Sequence, residues 1–137
     1  MEEPLQYPAI EEVSLYERIG GEAALNQLLD KFYDLVYSHP RISRLFKGDK
    51  EIIKHKQKCF LTQFLGGPPL YLETYGHPRM RARHLSHPIT EMDANDWLAC
   101  MSQAIGTLPI SEALKDELFA RFPRTAFFMV NTPMSGT

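Results

Sequence analysis

Apolar side chains recur at helical spacing in segment after segment of this chain, and no segment sustains the alternation of a strand. Between about Glu22 and Ser38 the stripe is Leu25, Leu28, Leu29, Phe32, Tyr33 and Val36. From about Lys50 to Leu65 it is Ile53, Phe60, Leu61 and Phe64. A long segment capped by Thr90 and reaching about Leu108 carries Trp97, Leu98, Met101, Ala104, Ile105 and Leu108. After Ser111 come Leu114, Leu118, Phe122, Ala126, Met129 and Val130. A period near 3.6 puts each set on one helix face, so the fold class is all-α. With 137 residues the chain suits one domain around one core.

The breaks between stripes have their own chemistry. Ser14 can cap a short helix to Ile19, with Glu17 completing a capping box. Gly20 and Gly21 end it, Pro40 ends the next, and a short turn spans Arg41 to Phe46. Gly66, Gly67, Pro68 and Pro69 stop the third helix abruptly. Gly67 to His77 reads as irregular, followed by a short helix over Arg79–Leu85. Pro123 should kink or break the last helix. A plain helical bundle uses shorter connections than the one in the middle of this chain, so something should occupy the space beside it. Residues 1–13, acidic and without the basic start of a signal peptide, read as an N-terminal extension, 14–131 as the domain and 132–137 as a tail.

The formal charge of -2 gives no reason to expect nucleic acid or a membrane surface as partner. Basic residues between Lys47 and Lys58 alternate with apolar ones and read as a solvated helix face. Cys59 and Cys100 belong to no paired motif and sit among apolar neighbours, as buried free thiols do, which points to a cytoplasmic protein. No apolar run approaches the roughly 18 residues of a membrane span.

Five histidines are candidates for metal or acid-base work. His39, His77 and His87 each precede a proline and belong to loops. His55 lies among lysines, two residues from Ile53, and should face solvent. His84 follows Arg81 and Arg83 on the short helical segment. No HxxxH, HExxH or Cys/His cluster exists, which argues against zinc. A lone histidine suits a metal already held by an organic ring, as in haem. Tyr33, Gln57 and Trp97 put polar tips on apolar stripes, where each needs a partner. They could converge on a small polarised ligand, or be ordinary core groups of a haem-free helical domain.

The ordered motifs FLGGPPLY (Phe64–Tyr71), HPRMRARH (His77–His84) and Trp97, thirteen residues after His84, resemble those of group II truncated haemoglobins. The helix bearing Phe32-Tyr33 and the HPRISRLF stretch ending at Phe46 match as well, so the resemblance covers about Ser14 to Asn131. It implies a shortened globin fold, a two-over-two helical sandwich around haem b, with the helix before the proximal histidine reduced to a loop and one turn. It also implies His84 as iron ligand, Phe46 against the haem, Lys56 and Arg83 at the propionates and Tyr71 at the haem edge, with Ile53, Phe60, Trp97 and Met101 as further contacts. Tyr33, Gln57 and Trp97 would surround the bound gas, and Ile53 stands where other globins carry a distal histidine. The ligands implied are O2, NO, CO and peroxide. The sequence has no flavin or nicotinamide fingerprint, so NO oxidation or peroxide reduction would draw electrons from a separate reductase. Tight O2 retention suits redox chemistry or sensing better than oxygen transport.

Overall fold

A computed structural model describes residues 13–76 and 88–132, and among these every regular element is a helix. Ser14 caps α1 (Leu15–Ile19), its hydroxyl accepting the Glu17 N–H at 3.2 Å. Helix α2 (Gly21–Tyr37) follows at once. All six residues of its predicted stripe are buried, Leu25, Leu28, Phe32 and Val36 completely. Pro40 ends the helical run, and a 3₁₀ turn (Ile42–Phe46) carries the chain to α3 (Lys50–Phe64). Asp49 caps α3 by accepting the Glu51 and Ile52 N–H groups. Thr90 and Asp93 form a reciprocal capping box on α5 (Glu91–Gly106).

Two stretches differ from the sequence reading. The irregular segment Gly67–His77 contains a helix, α4 (Leu70–Tyr75). Pro68 and Pro69 precede its first turn, where a missing N–H costs nothing. Its start is further satisfied from outside, because the Gln63 side chain accepts the Leu72 N–H at 2.9 Å. The basic side chains of α3 do more than face water. Lys58 meets Glu22 at 2.5 Å, Lys54 meets Asp30 at 3.3 Å, and Lys50 lies 4.5 Å from the centre of the Tyr37 ring. These contacts tie α3 to α2. Pro123 breaks the last segment as expected, giving α6 (Glu112–Phe119) and α7 (Pro123–Phe128), with the proline at the first helical position.

Helices α2 and α3 form one pair and α5 with α6 and α7 the other, α2 packing most extensively on α5. This is the two-over-two arrangement. Both cysteines are buried free thiols. The short helix expected over Arg79–Leu85, and with it His77, Arg83, His84 and His87, lies outside the described residues.

Candidate functional site

Where α3, α5, α7 and the 3₁₀ turn meet, they do not close on one another. They leave a cavity that is open on one side, of the concave, mostly apolar kind that holds an organic ligand. Leu45 and Phe46 of the turn form one wall. Gln57, Phe60, Leu61 and Phe64 project from α3 on successive turns, and Asp93, Ala94 and Trp97 from α5. Phe122, Thr125, Ala126 and Met129 close the far side. That side is held by a backbone clamp: the Ile89 N–H donates to the Asn131 side chain, and the Asn131 N–H donates back to the Ile89 carbonyl, both at 2.9 Å.

The walls are aromatic and aliphatic. Trp97 packs edge-on against buried Phe32 (ring centroids 5.1 Å apart) and tilts against Phe122 (5.8 Å). Asp93 is buried, but its carboxylate is committed to Arg44 at 2.7 Å and to the Thr90 N–H at 2.9 Å. Gln57 and Trp97 bring their amide and indole to the same cavity, and neither side chain has a hydrogen-bond partner among the described residues. Tyr33 stands one ring behind the wall, 6.0 Å from Phe46 and stacked on Tyr37 at 5.7 Å. Its hydroxyl likewise has no partner among the described residues. Burial, and then the neighbouring Tyr37, holds the Tyr33 phenol above its usual pKa, so it keeps its proton.

Of the residues singled out in the sequence, Phe46, Gln57, Phe60 and Trp97 therefore share the cavity. Tyr71 is buried behind Phe60 at 6.0 Å. Ile53 is half-buried against the core, Met101 is fully buried within it, and Lys56 lies 5.5 Å from the centre of the Tyr75 ring; none of the three is on the wall. Wall residues the sequence reading assigned only to a core face are Leu61, Phe64, Phe122, Ala126 and Met129. A helical stripe marks what is turned inward, whether toward protein or toward a ligand.

The profile of the bacterial-like globin family matches residues 14–131. Over 116 residues the chain is 49% identical to the group 2 truncated hemoglobin YjbI of Bacillus subtilis, covering 85% of this chain and 87% of that protein. The chain belongs to the group II truncated haemoglobins. Its fold matches the crystal structure of the group II truncated hemoglobin from Bacillus anthracis with a TM-score of 0.87 at 44% identity, covering 92% of this chain and 97% of that one. The truncated oxygen-avid haemoglobin from Bacillus subtilis matches with a TM-score of 0.81 at 48% identity, covering 87% and 100%. As a truncated haemoglobin the chain is a haem protein that binds small diatomic ligands.

The cavity fits that group. Haem offers a broad apolar face, and the walls are apolar and aromatic. No three His, Cys, Asp or Glu gather into a metal site among the described residues, and no helix there is long and apolar enough to cross a membrane.

Proposed function

We propose that the cavity holds haem b, with His84 as the iron's protein ligand, and that the chain retains O2 on the opposite face through Tyr33, Gln57 and Trp97. The observation that carries this reading is the pairing of the Gln57 amide and the Trp97 indole N–H, both without protein partners among the described residues, in one mostly apolar cavity whose carboxylate, Asp93, is already committed to Arg44 and the Thr90 N–H. Ferrous haem supplies reversible gas binding and polarises O2 so that its outer atom becomes partly anionic. The side chains do the rest. Donors aimed at that atom make charge-assisted hydrogen bonds, each adding roughly 1.5–3 kcal/mol. That is about 10- to 100-fold in affinity per donor. CO is less polarised and gains less. The description of the Bacillus subtilis relative as oxygen-avid agrees with such a pocket.

His84 would hold the iron through one ring nitrogen, with the other nitrogen free to donate to an acceptor that fixes the tautomer. Phe46 and Phe60 would supply direct apolar contacts, with Tyr71, Ile53 and Met101 in the packing behind them, and Lys56 and Arg83 would neutralise the propionates. Ile53 replaces a distal histidine, so the retention rests on the other three side chains. A visible spectrum of the purified protein tests the haem reading. A Soret band that His84→Ala abolishes is expected; a protein without one, or a band indifferent to that substitution, would overturn it. We infer a cytoplasmic protein working in O2, NO or peroxide chemistry with an external reductant.

A further inference from the structure

A line of rings leaves the cavity on the side of α3 and α4. Phe60 lines the cavity, and its ring centroid is 6.0 Å from that of Tyr71. Tyr71 is 5.1 Å from Tyr75, and Tyr75 is 6.0 Å from His55. Tyr75 and His55 are also joined by a hydrogen bond, Oη to Nδ1, of 2.7 Å. Tyr71 is buried, Tyr75 half-buried and His55 exposed. The line therefore runs from the closed interior to water and ends on a phenol bonded to a base.

We propose that Tyr75 is a redox-active tyrosine, the outer end of a path that carries oxidising equivalents from the cavity to the surface, with His55 as its proton acceptor. This rests on the haem reading, because a hydroperoxide reacting in the cavity supplies the oxidant. A phenol that loses an electron becomes strongly acidic, and without a base nearby that loss is unfavourable. With His55 as the Nε2–H tautomer, the Tyr75 Oη–H donates to Nδ1 across the 2.7 Å contact, so the proton crosses an existing hydrogen bond as the electron departs. The Lys56 ammonium, 5.5 Å from the ring centre, disfavours positive charge on the ring and so couples the two departures. His55 is exposed and passes its Nε2 proton to water. Tyr71 is the oxidisable stepping stone; Phe60 provides ring contact only.

The balance closes as follows. One hydroperoxide takes two electrons and two protons, giving an alcohol (or water) and water. Each electron comes from a phenol, which becomes a neutral phenoxyl and releases its proton. A small thiol returns a hydrogen atom to each phenoxyl and the two thiyl radicals couple, so one hydroperoxide and two thiols give an alcohol (or water), water and one disulfide.

The test uses the full-length protein carrying its Soret band, mixed with hydrogen peroxide, frozen at intervals and read by electron paramagnetic resonance. A tyrosyl signal is expected that falls at least about tenfold in Tyr75→Phe at an unchanged Soret band. His55→Gln keeps a hydrogen-bond acceptor but cannot carry the proton, and should slow radical formation by about 10²-fold. A nitroso spin trap should leave its adduct on Tyr75, located by mass spectrometry. A Soret band without a tyrosyl signal, or with one that Tyr75→Phe leaves unaltered, overturns the relay and leaves the haem reading standing. Absence of the Soret band overturns the haem reading and the relay with it.

Discussion

Tyr37 carries a fully enclosed hydroxyl with no hydrogen-bond partner among the described residues, and burial holds its pKa above the usual phenol value. Its ring earns its place by stacking on Tyr33 and lying under Lys50, contacts that a phenyl ring also makes. Removing an unsatisfied buried hydroxyl relieves its desolvation, so Tyr37→Phe should leave stability unchanged or raise it by about 1 kcal/mol, read as the midpoint of urea unfolding. The donors toward the gas behave in the opposite sense. Trp97→Phe and Tyr33→Phe should each speed O2 release by roughly 10- to 100-fold, measured by stopped flow; unchanged rates in both would remove the retention mechanism. Gln57, Trp97 and Tyr33 were legible in the sequence as polar tips on apolar stripes. Their relation was not: Gln57 and Trp97 line one cavity from two different helices, while Tyr33 is off its lining and packs on Phe46, because stripe position sets direction from a helix axis and leaves depth undetermined.

At the level of elements, the junction after α3 shows why the FLGGPPLY stretch is written as it is. Gly66 has φ +93, a left-handed conformation that side chains disfavour. Gly67 is needed for room: a Cβ there would lie 2.7 Å from the Tyr16 ring and 2.9 Å from the Thr62 carbonyl oxygen. The close approach lets the Gly67 N–H reach that carbonyl at 2.8 Å and the Tyr16 N–H reach the Leu65 carbonyl at 2.9 Å, seating α1 on the end of α3. Gly67→Ala should therefore cost about 1–3 kcal/mol, visible as a lowered denaturant midpoint with the helical signal retained before the transition. The glycines and prolines were readable as a stop. Helix α4 beyond them was not, because its first turn is completed by Gln63, a side chain from α3, and local pattern carries no record of such a partner.

Across the whole molecule, ion pairs bind elements distant in the chain. Arg41 grips Asp96 through two bonds of 2.7 and 2.8 Å, Arg18 holds Glu117, and Lys58 holds Glu22. Hydrogen bonds from those cations, first among the causes, hold the three carboxyls below their usual pKa values. A carboxyl whose folded pKa is depressed stabilises the fold above its unfolded value and loses that contribution as pH falls through the folded one. The melting temperature of the wild type should thus exceed that of Asp96→Asn near neutrality, by an amount equivalent to no more than about 1 kcal/mol because Arg41 is exposed. The difference should shrink toward zero below about pH 4, followed by circular dichroism melts at stepped pH. Haem binds only the folded chain, so extracting it should lower the melting temperature by on the order of 10 °C. The all-helical class, nearly every helix boundary, the break at Pro123 and the family motifs were present in the residue order, since periodicity, capping and proline act over a few residues. The cavity between α3, α5 and α7, the clamp of Ile89 on Asn131, and the ring path to Tyr75 and His55 came from the packing of helices against one another. The clamp joins residues 42 positions apart and the Tyr75–His55 bond residues 20 apart, and such pairings are set by how whole faces meet.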